Sequence, residues 1–330
     1  MIRSFPLALP AALAALALPL PAIAQDAPSP NQIVAEANAE EWVKIAPEDL
    51  LVMTLAPDRD GNAREVVIQL MPEPFSQGWV ANIRTLARAG WYDGISVNRV
   101  QDNYVVQWGD PNYDNPEAEG AAKPLPEGLR VMEESEYVDV VRAAEPGDDQ
   151  IVLWHPRPDL HDIYAQSATF AKGWPIAFET TPDTKAVTRW PIHCYGMVGV
   201  GRGMSPDTGS GAELYTVIGH APRHLDRNIA LVGRVVSGME HLSSLPRGSG
   251  ALGFYTSEEA DERTPILSIR VASDLPAAEQ PAFEYLSTAG GTFLRYAEAR
   301  ANRRDPFFIV PAGGADICNI PVPIRAAPAD

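Results

Sequence analysis

Basic residues are scarce in this chain: 26 lysines and arginines stand against 43 aspartates and glutamates, a formal charge of −17. That balance leaves no cationic face for nucleic acid and no attraction to anionic lipid. Cysteine is almost absent, with only Cys194 and Cys318. Their spacing matches no metal motif. The two can pair in an oxidising compartment, or stand as separate buried thiols, and spacing does not choose between these readings. Histidine is sparse at six residues. His220 and His224 are four apart, but Pro222 between them argues against a ligand pair on a helix. The glycines at 199, 201 and 203 lack the Lys-Ser/Thr of a phosphate loop, and no G-x-S-x-G elbow occurs. The chain therefore offers no sign of a metal, a nucleotide or a hydrolase nucleophile.

Long apolar runs are missing except at the start. Arg3, an apolar stretch from Pro6 to Leu20, and Ala22-Ile23-Ala24 form the three parts of a secretory signal. The run is short and proline-broken for a membrane span. Cleavage after Ala24 is expected, giving an exported, periplasmic protein that is not membrane-bound.

Apolar residues make up 45% of the chain, enough for a sizeable core, and Gly and Pro number 25 and 31, so turns are plentiful. The pattern is mainly β. Strands are predicted at Leu50–Leu55 and Glu65–Met71, with a turn through Asp58-Arg59-Asp60-Gly61-Asn62 between them. Phe75, Trp79, Ile83 and Leu86 mark one helical face, opened by Pro74 and closed by Gly90. A strand run follows from Ser96 to Gln107. Residues 112–172, with acidic stretches and prolines, read as an insertion holding short strands at Val138–Val141 and Ile151–Trp154. β patterning returns at Pro175–Glu179, Tyr195–Val200, Leu214–Ile218, Ile229–Val236 and Ile266–Val271. A helix is predicted over Phe283–Arg300, in an extension covering 276–330. Residues 25–46 read as a leader, flexible or with one short helix, ahead of a main domain at 47–275.

The stretch Trp91–Pro111 carries the most information. Its skeleton is Tyr92-Asp93-Gly94, Arg99, Tyr104, Gln107 and Gly109-Asp110-Pro111. Further on come Gly196-Met197-Val198, Gly211-Ala212-Glu213-Leu214-Tyr215, Leu225-Asp226 and Val232-Gly233-Arg234-Val235-Val236. This ordered set resembles the cyclophilins over roughly 50–110 and 174–271. The resemblance implies a closed eight-stranded antiparallel barrel capped by helices, and peptidyl-prolyl cis/trans isomerase activity without a cofactor. It implies catalytic roles for Arg99 and Gln107. It also implies a proline pocket of Tyr104, Val105, Tyr215 and Leu225, with His224 beside it and Val198 at its other edge. Proline-containing polypeptides would be the partners.

The chain departs from the family in places. Val97-Asn98 replaces Phe-His, Glu213 replaces glutamine, and tyrosine replaces phenylalanine at Tyr104 and Tyr215. The added hydroxyls need partners. These changes motivate the alternative of a catalytically weak module that binds proline peptides or acts as a chaperone.

Overall fold

The computed structural model describes residues 27–113, 118–141, 162–183 and 186–328. The expected signal sequence and the strand expected at Ile151–Trp154 lie outside them. In chain order the strands are β1 (Trp42–Lys44), β2 (Leu50–Leu55), β3 (Arg64–Leu70), β4 (Ser96–Val100) and β5 (Val105–Gly109). Next come β6 (Asp139–Val141), β7 (Ser167–Ala171), β8 (Trp174–Thr180), β9 (Val187–Pro191) and β10 (Met197–Val200). The last are β11 (Leu214–Val217), β12 (Leu231–Ser237), β13 (Ile266–Val271), β14 (Phe283–Leu286) and β15 (Ile324–Ala326). The α-helices are α1 (Pro30–Ala35), α2 (Gln77–Arg88), α3 (Glu240–Ser243) and α4 (Gly291–Ala301).

Eight strands form one antiparallel sheet in the order β13-β2-β3-β12-β10-β11-β5-β4. The sheet curls until its ends meet. Gly94 donates to the Ile266 carbonyl at 3.0 Å, Val97 to Thr264 at 2.9 Å and Ile266 to Ile95 at 2.8 Å. These bonds close the barrel and remove its edges. Helix α2 turns Trp79, Val80, Ile83 and Leu86 into the barrel core, as the apolar spacing predicts. Helix α3 is a single turn whose Leu242 is buried in the same core.

The Tyr92-Asp93-Gly94 turn has a physical reason at each position. Tyr92 is buried and donates its hydroxyl to the Gly211 carbonyl at 2.6 Å. The Asp93 carboxylate takes both arms of Arg270 at 2.7 Å each. Gly94 has φ +77, a conformation in which a side chain would be strained.

Three expectations are corrected. The run Ser96–Gln107 is a hairpin, not one strand: Gln101 donates to the Val105 carbonyl, and Asn103 takes φ +51 between β4 and β5. Asparagine tolerates that left-handed turn, a signal masked by the apolar alternation around it. Phe283–Arg300 is not one helix. Phe283 to Leu286 form β14, and the helix begins only at Gly291, with Gly290 as its N-cap. Finally, the strand expected at Pro175–Glu179, β8, does not join the barrel, and neither does β9, where the sequence predicts no strand. They form a separate four-stranded sheet in the order β6-β9-β8-β7.

The two ends of the chain are joined. β1 pairs with β14, and β14 with β15, in a three-stranded sheet. The leader's short helix, α1, is opened by a Ser29–Gln32 capping box. The terminal segment covers one outer side of the barrel. Leu50 and Val52 of β2, with Val67 of β3, pack against Leu275, Phe283 and Tyr285, while Leu51, Met53 and Leu55 face the interior. A strand buried on both faces is mostly apolar, and β2 reads LLVMTL, with the half-buried Thr54 its one polar residue.

Two further ties hold these parts together. Buried Arg234 of β12 donates to Gln69 Oε1 at 2.9 Å and to the Gly173 carbonyl at 2.6 Å, and lies over the Trp174 ring at 4.3 Å. Cys194, ahead of β10, forms a disulfide with Cys318 in the tail, 124 residues away, with Cα atoms 5.1 Å apart.

Candidate active site

Strands β4, β5 and β11 lie side by side and present a cleft of about 260 Å³ on the barrel. Arg99, Tyr104, Val105, Gln107, Tyr215 and Leu225 line it. Six of the eight residues singled out in the sequence are thus brought together. Gly201, Arg202, Ile229, Leu252 and Phe254 complete the lining.

Arg99 is held by fixed acceptors. Its Nη1 donates to Gln107 Oε1 at 3.1 Å, its Nε to the Leu252 carbonyl at 2.7 Å, and its Nη2 to Gln101 Oε1. The guanidinium also lies near the Tyr104 and Phe254 rings, at 5.6 and 5.5 Å from their centroids. Burial pulls its pKa below the ordinary arginine value, against the opposing influence of Tyr104 and Tyr215. Leu252 reaches Arg99 from a left-handed backbone position, φ +56, which is strained for a non-glycine residue. Gln107 continues the chain by donating Nε2 to Glu213 Oε2 at 3.4 Å. Gly109, next to Glu213, has no room for a side chain: a Cβ there would meet the carboxylate within 1.8 Å.

The apolar side of the cleft is formed by Val105 and Tyr215, with Tyr104, Leu225 and Ile229 packed on them. The Tyr215 hydroxyl has a dedicated place. It lies over Gly199, where a Cβ would be 2.3 Å from the oxygen. Its partner is His193 Nε2 at 3.0 Å, and His193 Nδ1 is 2.9 Å from Asp226 Oδ1. The carboxylate faces Nδ1, which leaves Nε2 to meet the tyrosine hydroxyl. Asp226 is held in turn by Arg223 Nε at 2.6 Å, and Arg223 Nη2 reaches Asp162 at 2.9 Å. His193 and Arg223 are 1% and 3% exposed. Burial pushes the Tyr215 pKa well up. For Asp226, burial acts upward, but the His193 and Arg223 contacts prevail and hold it below its ordinary value.

Two expected residues lie elsewhere. Val198 is buried in the barrel core, because neighbouring residues of a strand face opposite sides and Gly199 is the one turned toward Tyr215. His224 is exposed and stacks on Tyr104 with ring centroids 6.1 Å apart, without lining the cleft. His193 was missed in the sequence because a lone histidine after Trp190-Pro191-Ile192 reads as core. The signal that could have found it is the unmet need of the Tyr215 hydroxyl. Leu252 and Phe254 come from an irregular connection with no local pattern.

A closed antiparallel barrel with an arginine–glutamine pair beside an apolar cleft is the architecture of a cyclophilin. The family model described as cyclophilin type peptidyl-prolyl cis-trans isomerase/CLD matches residues 60–271, and the chain belongs to that family. A probable peptidyl-prolyl cis-trans isomerase of Brucella suis is 24% identical over 205 residues, spanning 62% of this chain and 75% of that protein. Peptidyl-prolyl cis-trans isomerase B of Bacillus subtilis is 30% identical over 121 residues, 36% of this chain and 82% of the relative. Among solved structures, cyclophilin AquaCyp293 from Hirschia baltica shares the fold, with a TM-score of 0.63 and 22% identity over 89% of this chain and all of that one. The chain is a cyclophilin-type peptidyl-prolyl cis-trans isomerase.

Proposed function

We propose that the cleft isomerises X–Pro bonds with Arg99 as the catalytic donor. Rotation about the C–N bond crosses a barrier of about 18–20 kcal/mol because resonance must be lost. As it is lost, a lone pair appears on the proline nitrogen. A guanidinium N–H aimed at that nitrogen stabilises the twisted state more than either planar one. No bond breaks, so the reaction needs no nucleophile.

The observation that supports this role is the fixing of Arg99. Gln107, Gln101 and Leu252 take three of its five N–H groups and leave two for substrate. Gln107 positions the arginine. Tyr104, Val105, Tyr215 and Leu225 hold the proline ring while the preceding carbonyl turns, and His224 supports the Tyr104 ring from outside. The substrates are proline-containing segments of other proteins.

The test is proline isomerisation measured beside Arg99→Ala. Loss of one preorganised donor is worth about 10²–10³ in kcat. A variant that stays folded and keeps more than a third of the wild-type rate would remove Arg99 from the mechanism.

The setting is proposed to be the periplasm. Arg3, the Pro6–Leu20 run and the Ala22-Ile23-Ala24 site support export. N-terminal sequencing of the protein from a periplasmic fraction should begin at Gln25, and an intact Met1 there or a purely cytoplasmic protein would refute it.

A further inference from the structure

The cleft lining is unusual in its charge. It holds two guanidiniums, Arg99 and Arg202, and no carboxylate, in a chain whose net charge is −17. Arg99 is committed to its three acceptors and the reacting bond. Arg202 has no part in that arrangement. It stands two residues past the end of β10 and is half-buried. Its Nε and Nη2 donate to the Asn228 carbonyl at 3.0 and 2.9 Å, and its Nη1 to the Gly203 carbonyl at 2.8 Å. Carbonyls orient a guanidinium without neutralising it.

The acids nearby are engaged elsewhere. The Asp207 carboxylate accepts from the backbone N–H groups of Gly203 and Gly209. Glu213 is 7% exposed, behind Gln107, and does not line the cleft. Among the described residues no acid forms an ion pair with Arg202. Two of its five N–H groups remain after the carbonyl contacts, and two N–H groups side by side suit a carboxylate.

We propose that Arg202 is a specificity-determining residue that favours proline peptides with an aspartate or glutamate beside the proline. The inference rests on the isomerase reading of the same cleft. The preference is electrostatic, because a half-buried arginine attracts a client carboxylate and repels a client ammonium. It therefore weakens as salt is raised from ~50 to ~500 mM.

The test uses the full mature chain and two peptide sets, Ala-X-Pro-Phe and Ala-Ala-Pro-Z, with Glu, Ala or Lys at the varied position. The readout is the Glu-to-Lys ratio of kcat/KM, taken within each variant so that general changes in activity cancel. In the wild type the ratio should be roughly fivefold or more at one of the two positions, in keeping with a partly exposed pair. Arg202→Gln should bring it to about one, and Arg202→Glu should invert it. A wild-type ratio of one at both positions, with the alanine peptide turned over normally, overturns the charge preference and leaves the isomerase reading intact. An unchanged ratio in Arg202→Gln removes Arg202. If no peptide is isomerised, the isomerase reading fails. The same Glu-to-Lys comparison, measured as Kd by titration, then decides for or against Arg202.

Discussion

Replacing His193 with asparagine isolates what its Nε2 does. Asparagine retains an N–H that can reach Asp226 in place of Nδ1, but nothing that reaches the Tyr215 hydroxyl. Tyr215 is 4% exposed, and among the described residues its hydroxyl has His193 as its hydrogen-bonding partner, at 3.0 Å. Leaving a buried hydroxyl unpaired costs about 1–3 kcal/mol. The hydroxyl can avoid that cost only by turning toward the water of the cleft, and its ring then occupies the proline site. A population shift of that size raises KM roughly five- to 150-fold, at tenfold per 1.4 kcal/mol. Arg99 is not touched, so kcat should stay near the wild-type value. Glutamine reaches further: its Oε1 can accept the tyrosine O–H, so His193→Gln should restore KM to within a few-fold. Tyr215→Phe removes the group that needs a partner, and in that background His193→Asn should have little further effect on KM. The assay is steady-state isomerisation on one peptide with all four variants, each checked for folding by its thermal midpoint. Losses in His193→Asn and Tyr215→Phe that simply add, or a His193→Asn KM equal to wild type, would refute the anchoring argument.

Two other outcomes concern stability. The Cys194–Cys318 bond closes a span of 124 residues, so chain entropy assigns it about 4–5 kcal/mol. Cys318→Ser, or reductant added to the wild type, should lower the urea midpoint clearly, and an unchanged midpoint would contradict this. Asp226 and Asp93 both titrate below the ordinary value of 3.8, the first through His193 and Arg223 against burial, the second chiefly through its hydrogen bonds from Arg270. A carboxylate with a depressed folded pKa binds fewer protons than in the unfolded chain. Its contribution is therefore complete above the unfolded pKa and lost as pH falls through the folded one. Urea midpoints should drop as pH is lowered from about 5 to about 3. Asp93→Asn should flatten that acid limb, and an identical pH profile would show that Asp93 does not contribute to it.

What could be read in the sequence depended on whether the deciding contact was local. β2 and β13 have the predicted bounds, because their apolar runs and flanking turns lie within a few residues. The α2 face was equally plain, since Trp79, Ile83 and Leu86 repeat at the helical period. The cleft residues followed from the ordered motif around Arg99 and Gln107. The terminal sheet was not legible. Trp42, Val43 and Lys44 have no strand pattern of their own, and become a strand because Glu284 to Leu286 supply the hydrogen bonds. β8 pairs with its neighbours along the chain, β7 and β9, and the apolar pattern of Pro175–Glu179 does not distinguish that sheet from the barrel. The His193–Asp226 pair spans 33 residues, and no pattern along the chain connects those positions.

The terminal sheet has a consequence for the order in which the molecule can be completed. β1 leaves the ribosome well before its partner, since β14 begins at Phe283 and β15 ends at Ala326. At typical rates of about 5–20 residues per second, tens of seconds of synthesis separate them. Until then Leu50, Val52 and Val67 have no cover on the outer face of the barrel. The growing chain therefore carries an uncovered apolar sheet for most of its synthesis. The outer sheet cannot close until Phe283–Leu286 and Ile324–Ala326 have been made, so the barrel strands and the strand that covers them are completed in separate stages.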